Sequence, residues 1–328
     1  MTPLEIMIRA ARTPKSWTTS RSAPVQPAMP GGRAGTASRP DAAQAVSTRR
    51  WLPARAATIH TVALPDRRAL HLDASPTVHF DPLNAGLFIE AAAACWDRVG
   101  RQRRSAGRDS TSIVRLLDMG CGSGVWGLIL HRLAPPSVTV RVTFADVDTC
   151  AVQLAARNAA ANGVPEGSYM AVKSDMFSAI PLDEPPFDLI TFNPPQTGGS
   201  EAFCRARLDK YGGSDGSLYH RRFATESPPY LQLGADKERR GAVAIAHIGL
   251  AAPTRVQEHF GAAGFQLEVV AEQQREFHRD EMEDIHPGLF DWQLAVRVHN
   301  LHIARPIALY CASVASRPLV SLPMTVHL

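Results

Sequence analysis

Four short apolar runs, each closed by an acidic or amide residue, constrain this chain more than any other feature. Ile113-Val-Arg-Leu-Leu ends at Asp118, and Val138-Thr-Val-Arg-Val-Thr-Phe-Ala ends at Asp146. Tyr169 to Lys173 runs into Ser174-Asp175, and Phe187-Asp-Leu-Ile-Thr-Phe ends at Asn193. Between the first three runs, Val125 to Leu133 and Cys150 to Asn162 have helical character, the second closed by Gly163. Strand and helix in alternation build a parallel sheet, because each crossover returns the chain to the same edge. The polar residues then gather at the carboxyl edge, where open α/β sheets bind ligands.

The pattern continues downstream. Ala242 to Ile248 reads as a buried strand, Pro253 to Ala263 as a helix started by Pro253 and stopped by Gly264, and Phe265 to Val270 and Asp291 to Val298 as two terminal strands. Upstream, Ala85 to Trp96 predicts a helix beside the ligand edge. The expected fold is α/β, a Rossmann-like, seven-stranded, mostly parallel sheet with helices on both faces. Residues 1–60 are rich in Ala, Arg, Pro, Ser and Thr without apolar period and are expected to form a disordered low-complexity tail. Residues 61–299, entered by a short polar approach, form the expected catalytic domain. Residues 300–328 are apolar but interrupted by Pro306, Pro318 and Pro323, an extension to which the sequence assigns no role.

Charge narrows the function. The net +4 divides into nine bases against two acids over residues 1–60, a balance of +7, and 26 bases against 29 acids over the remainder, a balance of −3. A mildly acidic body lacks the phosphate-neutralising surface that nucleic-acid enzymes use. Five cysteines stand without a Cys-x-x-Cys pair, which fits a reducing cytoplasm. No apolar stretch approaches the roughly 20 residues that cross a bilayer, so no membrane role is expected. His278 and His286 flank four acids, but their spacing matches no metal-ligand pattern; this stretch reads as a solvated loop, and no metal is expected.

Asp118-Met-Gly120-Cys121-Gly122-Ser-Gly124 follows the first strand and opens a helix. Its glycines let the backbone turn tightly and approach a ligand, while the helix start offers N–H groups. A dinucleotide fingerprint places its third glycine three positions after the second, whereas these alternate one by one. Alternation after a strand-terminal acid fits S-adenosylmethionine better than a nicotinamide dinucleotide. Asp146, at the end of the second strand, is placed to accept both ribose hydroxyls and is favoured over Asp148 for that role. Asp175 is placed to accept from the adenine amino group, with Met176 and Phe177 either against the ring or in the core. Cys121 lies within the turn, without a partner for nucleophilic work.

Asn193-Pro194-Pro195-Gln196 carries the chemistry. An amide oxygen from Asn193 and the carbonyl of Pro194 each accept one hydrogen of a planar NH2 group, which fixes its plane and aligns it for in-line displacement. Pro195 shapes the turn, and Gln196 and Phe80 are assigned to the acceptor side. Tyr211-Gly-Gly-Ser-Asp-Gly216, with Tyr219, His220, Arg221 and Arg222, reads either as the substrate mouth or as a surface turn.

These residues give the chain a resemblance to class I S-adenosylmethionine methyltransferases of the HemK-like group, which methylate glutamine side-chain amides. The resemblance covers about Val78 to Val298 and rests on Asp118 to Gly124, Ala155-Ala-Arg-Asn158, Ser174 to Ser178 and Asn193-Pro-Pro195. It implies cofactor contacts at Gly120, Gly122, Asp146 and Asp175, and a hold on the target nitrogen by Asn193 and Pro194. The chain departs from that group in three places: Gln196 stands where an aromatic residue usually follows Asn-Pro-Pro, Asp81 to Gly86 replaces a Pro-Arg-Pro-x-Thr-Glu segment, and residues 1–60 lack a helical pattern. The expected acceptor is a protein glutamine or a small molecule. A nucleobase amino group is the alternative, and a cofactor-binding regulator without catalysis the third reading.

Overall fold

The computed structural model describes residues 59–293, except 76, 77, 79, 81, 106–112, 232–240 and 249, together with residues 319–327. A hairpin comes first, β1 (Ile59–Ala63) paired antiparallel with β2 (Ala69–Asp73). Then follow α1 (Pro82–Ser105), β3 (Val114–Met119), α2 (Val125–Arg132), β4 (Val140–Asp146), α3 (Thr149–Ala161), β5 (Tyr169–Lys173) and β6 (Leu189–Phe192). The chain continues through α4 (Glu201–Ala206), α5 (Leu218–Glu226), β7 (Ala242–Ile248), α6 (Pro253–Ala262), β8 (Val269–His278), α7 (Arg279–Ile285) and β9 (Leu319–His327).

Seven strands form the main sheet in the order β5-β4-β3-β6-β7-β9-β8. The first five are parallel to one another, β9 pairs antiparallel with β7, and β8 pairs antiparallel with β9. The order reverses at β3, the first strand of the sheet in sequence, so a crevice opens above the carboxyl ends of β3 and β6.

Alternation along the strands divides the core between two faces. Leu116, Val142, Phe144 and Ala244 pack with α1, α2 and α3. Leu117, Ile190, Phe192, Val243 and Ile245 pack with Phe223 of α5 and with Val256 and Phe260 of α6. On the first face Phe88 of α1 stacks flat on Trp126 of α2 at 4.2 Å, and Trp96 donates from Nε1 to the Leu130 carbonyl. The far end of α1 is tied to the sheet by Arg103, which meets Asp188 at 3.1 Å with both side chains buried.

Several boundaries differ from the sequence expectation. The polar approach is the hairpin: Val62, Leu64, Leu70 and Leu72 are buried in the same core as α1, α2 and α3, so it belongs to the folded body from Ile59. Phe265 is no strand residue. Gly264 takes φ +83° and the Phe265 N–H bonds the Phe260 carbonyl five residues back along the turn, so this stretch closes α6 and the strand starts at Val269. Asp291 to Gln293, expected as strand, is helical, and residues 294–298 lie outside the described residues. The seventh strand is instead Leu319–His327, inserted between β7 and β8. Residues 279–285, expected as loop, form α7. The expected tail falls outside the described residues up to position 58. No helix among the described residues is long and apolar enough to cross a membrane.

Candidate cofactor and acceptor site

The glycine turn is built for close approach. Gly120, Gly122 and Gly124 all adopt left-handed φ, at +59°, +52° and +78°. A Cβ on Gly124 would stand 3.1 Å from the Ala155 methyl and 3.2 Å from the Phe144 ring, so the turn is pressed onto α3 and β4. Asn158, fully buried on α3, donates to the Ser123 carbonyl at 2.9 Å and accepts from the Asp73 N–H at 2.8 Å. One side chain thereby clamps the turn and the hairpin together.

Asp118 is tied into the sheet and into α2. It lies directly across from Thr191 in the β3–β6 register and accepts from Thr191 Oγ1 at 2.8 Å and from the Gly127 N–H at 3.0 Å. Burial pushes its carboxyl up to about 7. With both oxygens engaged inside the protein, Asp118 anchors the first turn of α2. Cys121 is buried, its N–H bonded to the Ala145 carbonyl, and burial raises its thiol well above the ordinary value. It packs the turn.

Asp146 is half-buried at the end of β4. One oxygen accepts from Gly122 N–H at 3.0 Å and the other from Asp148 N–H at 2.9 Å, and burial raises its pKa. Asp148 instead caps α3 by accepting from Cys150 N–H. Of the two acids, Asp146 is therefore the one that faces the glycine turn. Beside it Val147 is 62% exposed, an apolar face that sequence reasoning missed although an isolated valine between two acids was visible.

At the end of β5, Ser174 Oγ donates to the Met176 carbonyl at 2.6 Å and accepts from Ala179 N–H, holding Met176 at φ +49°. A left-handed conformation in a residue bearing a long side chain is a strained arrangement of the kind found at ligand sites. Asp175 stands exposed at the edge, bonded at 2.8 Å by Arg222 of α5, which also bonds Glu226. Phe177 stacks on Tyr230 at 4.6 Å within the core; Met176 is buried beside it.

Asn193 follows β6, whose last residue, Phe192, stacks on Phe223 of α5 at 4.6 Å. Among the described residues no donor bonds the Pro194 carbonyl. Gln196 departs from expectation. It is buried, with Oε1 accepting from Ile248 N–H at 2.7 Å and Nε2 directed to the Ala246 carbonyl at 3.4 Å and Asn193 Oδ1 at 3.3 Å. Its amide is therefore engaged at both ends inside the protein. Phe80 packs on His60 of the hairpin, ring centroids 4.5 Å apart.

The Tyr211 to Gly216 segment is no free surface turn. A Cβ on Gly212 would lie 2.6 Å from Gln196 Cα and 2.8 Å from the Pro195 carbonyl oxygen; one on Gly216 would lie 2.5 Å from the Gln196 carbonyl oxygen. Backbone therefore packs on backbone, and only glycine fits. Gln293 Nε2 closes the assembly from the other side by donating to the Gly198 carbonyl at 2.6 Å.

A sheet in this order, with one antiparallel strand next to the end and a glycine turn and Asn-Pro-Pro on adjacent strand ends, is the class I methyltransferase fold. Residues 109–208, which carry every one of these motifs, match the family model described as the methyltransferase small domain. The chain is 34% identical over 139 residues to a release factor glutamine methyltransferase of Chlorobaculum tepidum, covering 40% of this chain and 46% of that one. It is 39% identical over 125 residues to a ribosomal RNA small subunit methyltransferase C of an Enterobacter species, covering 36% and 33%. Over 77 residues it is 40% identical to a ribosomal protein L11 methyltransferase of Brucella suis, covering 24% and 26%. The chain thus spans less than half the length of the curated relatives it matches.

Proposed function

We propose that this protein transfers a methyl group from S-adenosylmethionine to the planar nitrogen of an amide or amine, on a protein glutamine or a small molecule. The observation that carries the reading is Asn193 at the end of β6, next to a Pro194 carbonyl that no donor among the described residues takes up and one strand away from the glycine turn. Three left-handed glycines, with Asp146 facing their turn, support a nucleoside-bearing donor there. The donor's sulfonium supplies an already activated methyl group.

An amide nitrogen is a weak nucleophile because its lone pair is delocalised into the carbonyl. Asn193 Oδ1 and the Pro194 oxygen, each accepting one N–H, hold the group so that its lone pair points along the axis of the breaking bond. A nitrogen–carbon bond forms as the sulfur–carbon bond breaks; sulfur keeps the electron pair as a neutral thioether, and the nitrogen releases one proton to solvent. No group on the protein need become charged, so positioning and fixed dipoles carry the rate.

The test is incubation with methyl-labelled S-adenosylmethionine and host lysate, separating label in protein, nucleic acid and small molecules. Label in protein or small molecules, reduced about 10²-fold by Asn193→Ala while cofactor affinity persists, is the expected outcome. Label in nucleic acid favours the alternative acceptor, a nucleobase amino group, which the likeness to the ribosomal RNA methyltransferase keeps in view. A protein that fails to bind S-adenosylmethionine refutes both.

A further inference from the structure

We propose that Gln196 is a positioning residue that fixes the orientation of the Asn193 amide, so that Asn193 presents its oxygen, and not its NH2, to the acceptor nitrogen. The proposal rests on the reading of Asn193 as the acceptor-holding group.

A side-chain amide can be turned over at little cost unless its neighbours forbid it. Gln196 sits between two groups of fixed character. The Ile248 N–H only donates, and it lies 2.7 Å from one end of the Gln196 amide, which must therefore be oxygen. The Ala246 carbonyl only accepts, and it lies near the other end, which must therefore be NH2. Both belong to β7 and are paired there with β9, so their positions are set by the ladder and not by the loop. The second hydrogen of that NH2 points at Asn193, 3.3 Å away, and is satisfied only if Asn193 turns its oxygen inward. β7 thus dictates Gln196, and Gln196 dictates Asn193.

A carbonyl oxygen has two lone pairs. Gln196 engages one on Asn193 Oδ1 and leaves the other for an acceptor N–H. The reverse orientation would aim the Asn193 NH2 at the acceptor's own N–H groups, donor against donor. Packing holds the arrangement. The backbone of Gln196 is wedged by Gly212 and Gly216 at separations where a Cβ on either would clash. Gln196 therefore takes over a different task from the aromatic residue that usually follows Asn-Pro-Pro in the group this chain resembles: it shapes the hydrogen-bonding face of Asn193.

Two substitutions separate positioning from folding. Gln196→Glu keeps an oxygen for Ile248 N–H but removes the NH2 that faces Asn193, whereas Gln196→Leu removes both. Label transfer from methyl-labelled S-adenosylmethionine to host lysate is measured for each, alone and combined with Asn193→Ala, beside the dissociation constant for S-adenosylhomocysteine. The expected result is a loss of about ten- to a hundred-fold for Gln196→Glu with cofactor affinity within two-fold, and less than two-fold further loss when Asn193→Ala is already present. Full additivity on Asn193→Ala, or unchanged transfer by Gln196→Glu, overturns the proposal. A second readout needs no acceptor: the Asn193 side-chain amide signal in a nitrogen-15 spectrum, assigned by its absence in Asn193→Ala. It shifts in Gln196→Glu if the proposal holds, and an unmoved signal refutes it. Should the wild-type protein label no fraction, the acceptor-site reading fails, and the spectrum still decides the role of Gln196.

Discussion

A single methyl group added at Gly212 tests whether the acceptor loop is held by its backbone cradle. In Gly212→Ala the new Cβ would lie 2.6 Å from Gln196 Cα, 2.7 Å from the Gly216 carbonyl oxygen and 2.8 Å from the Pro195 carbonyl oxygen. Carbon contacts relax to about 3.5 Å, so the neighbours must retreat by roughly 0.7–0.9 Å. All three are main-chain atoms, and no rotamer change relieves them. Gly212 is not among the left-handed glycines, so contact alone causes the strain. Overpacking of this kind costs about 1–3 kcal/mol of stability. The functional cost is larger, because the displaced residues are the two that follow Asn193-Pro194, and reacting groups tolerate only about 0.5 Å of error. A misplacement near 1 Å costs on the order of 10²-fold in rate. The assay is the initial rate of label transfer, beside calorimetric binding of S-adenosylhomocysteine and the thermal midpoint. A transfer rate reduced about 10²-fold with cofactor affinity changed by less than a few-fold is expected. Gly261→Ala on α6 is the control, since its Cβ meets nothing within 4 Å and the variant should keep the wild-type rate. Gly212→Ala with wild-type rate and thermal midpoint would refute the cradle.

The other predictions concern charge. Burial raises the Asp118 carboxyl from 3.8 to about 7, so the folded state holds that proton more tightly than the unfolded chain. Its contribution to stability is full below about pH 4 and is lost as pH rises through 7, by at most about 4 kcal/mol. Asp118→Asn keeps an oxygen for Gly127 N–H and gives Thr191 Oγ1 a donor; its thermal midpoint should gain on the wild type progressively from pH 4 to 8, and parallel curves would disprove the assignment. Arg103→Met removes the buried guanidinium that meets the Asp188 carboxylate and should cost about 3–5 kcal/mol in denaturant titration. Arg101→Ala breaks an exposed pair with Asp97 on the same helix and should cost less than about 1 kcal/mol, so equal losses would contradict the burial argument.

The sequence by itself determined what depends on neighbours along the chain. Alternating apolar runs and helix-length segments specify a parallel sheet, glycines at one-residue intervals specify a tight turn, and a polar residue at a strand end specifies the ligand edge. Hence Gly120 to Gly124, Asp146 and Asn193 stand at strand ends as read. Tertiary structure alone decided where side chains turn once they reach that edge. Asp118 faces inward because Thr191 lies opposite it in a strand 73 positions away. Gln196 faces inward because Ala246 and Ile248, 50 and 52 positions further on, present an acceptor and a donor to it. The insertion of β9 between β7 and β8 is likewise non-local, since a strand's place in a sheet depends on which edge remains unpaired when it arrives. Periodicity reports whether a residue is buried; only the partners that close its hydrogen bonds determine what it does there.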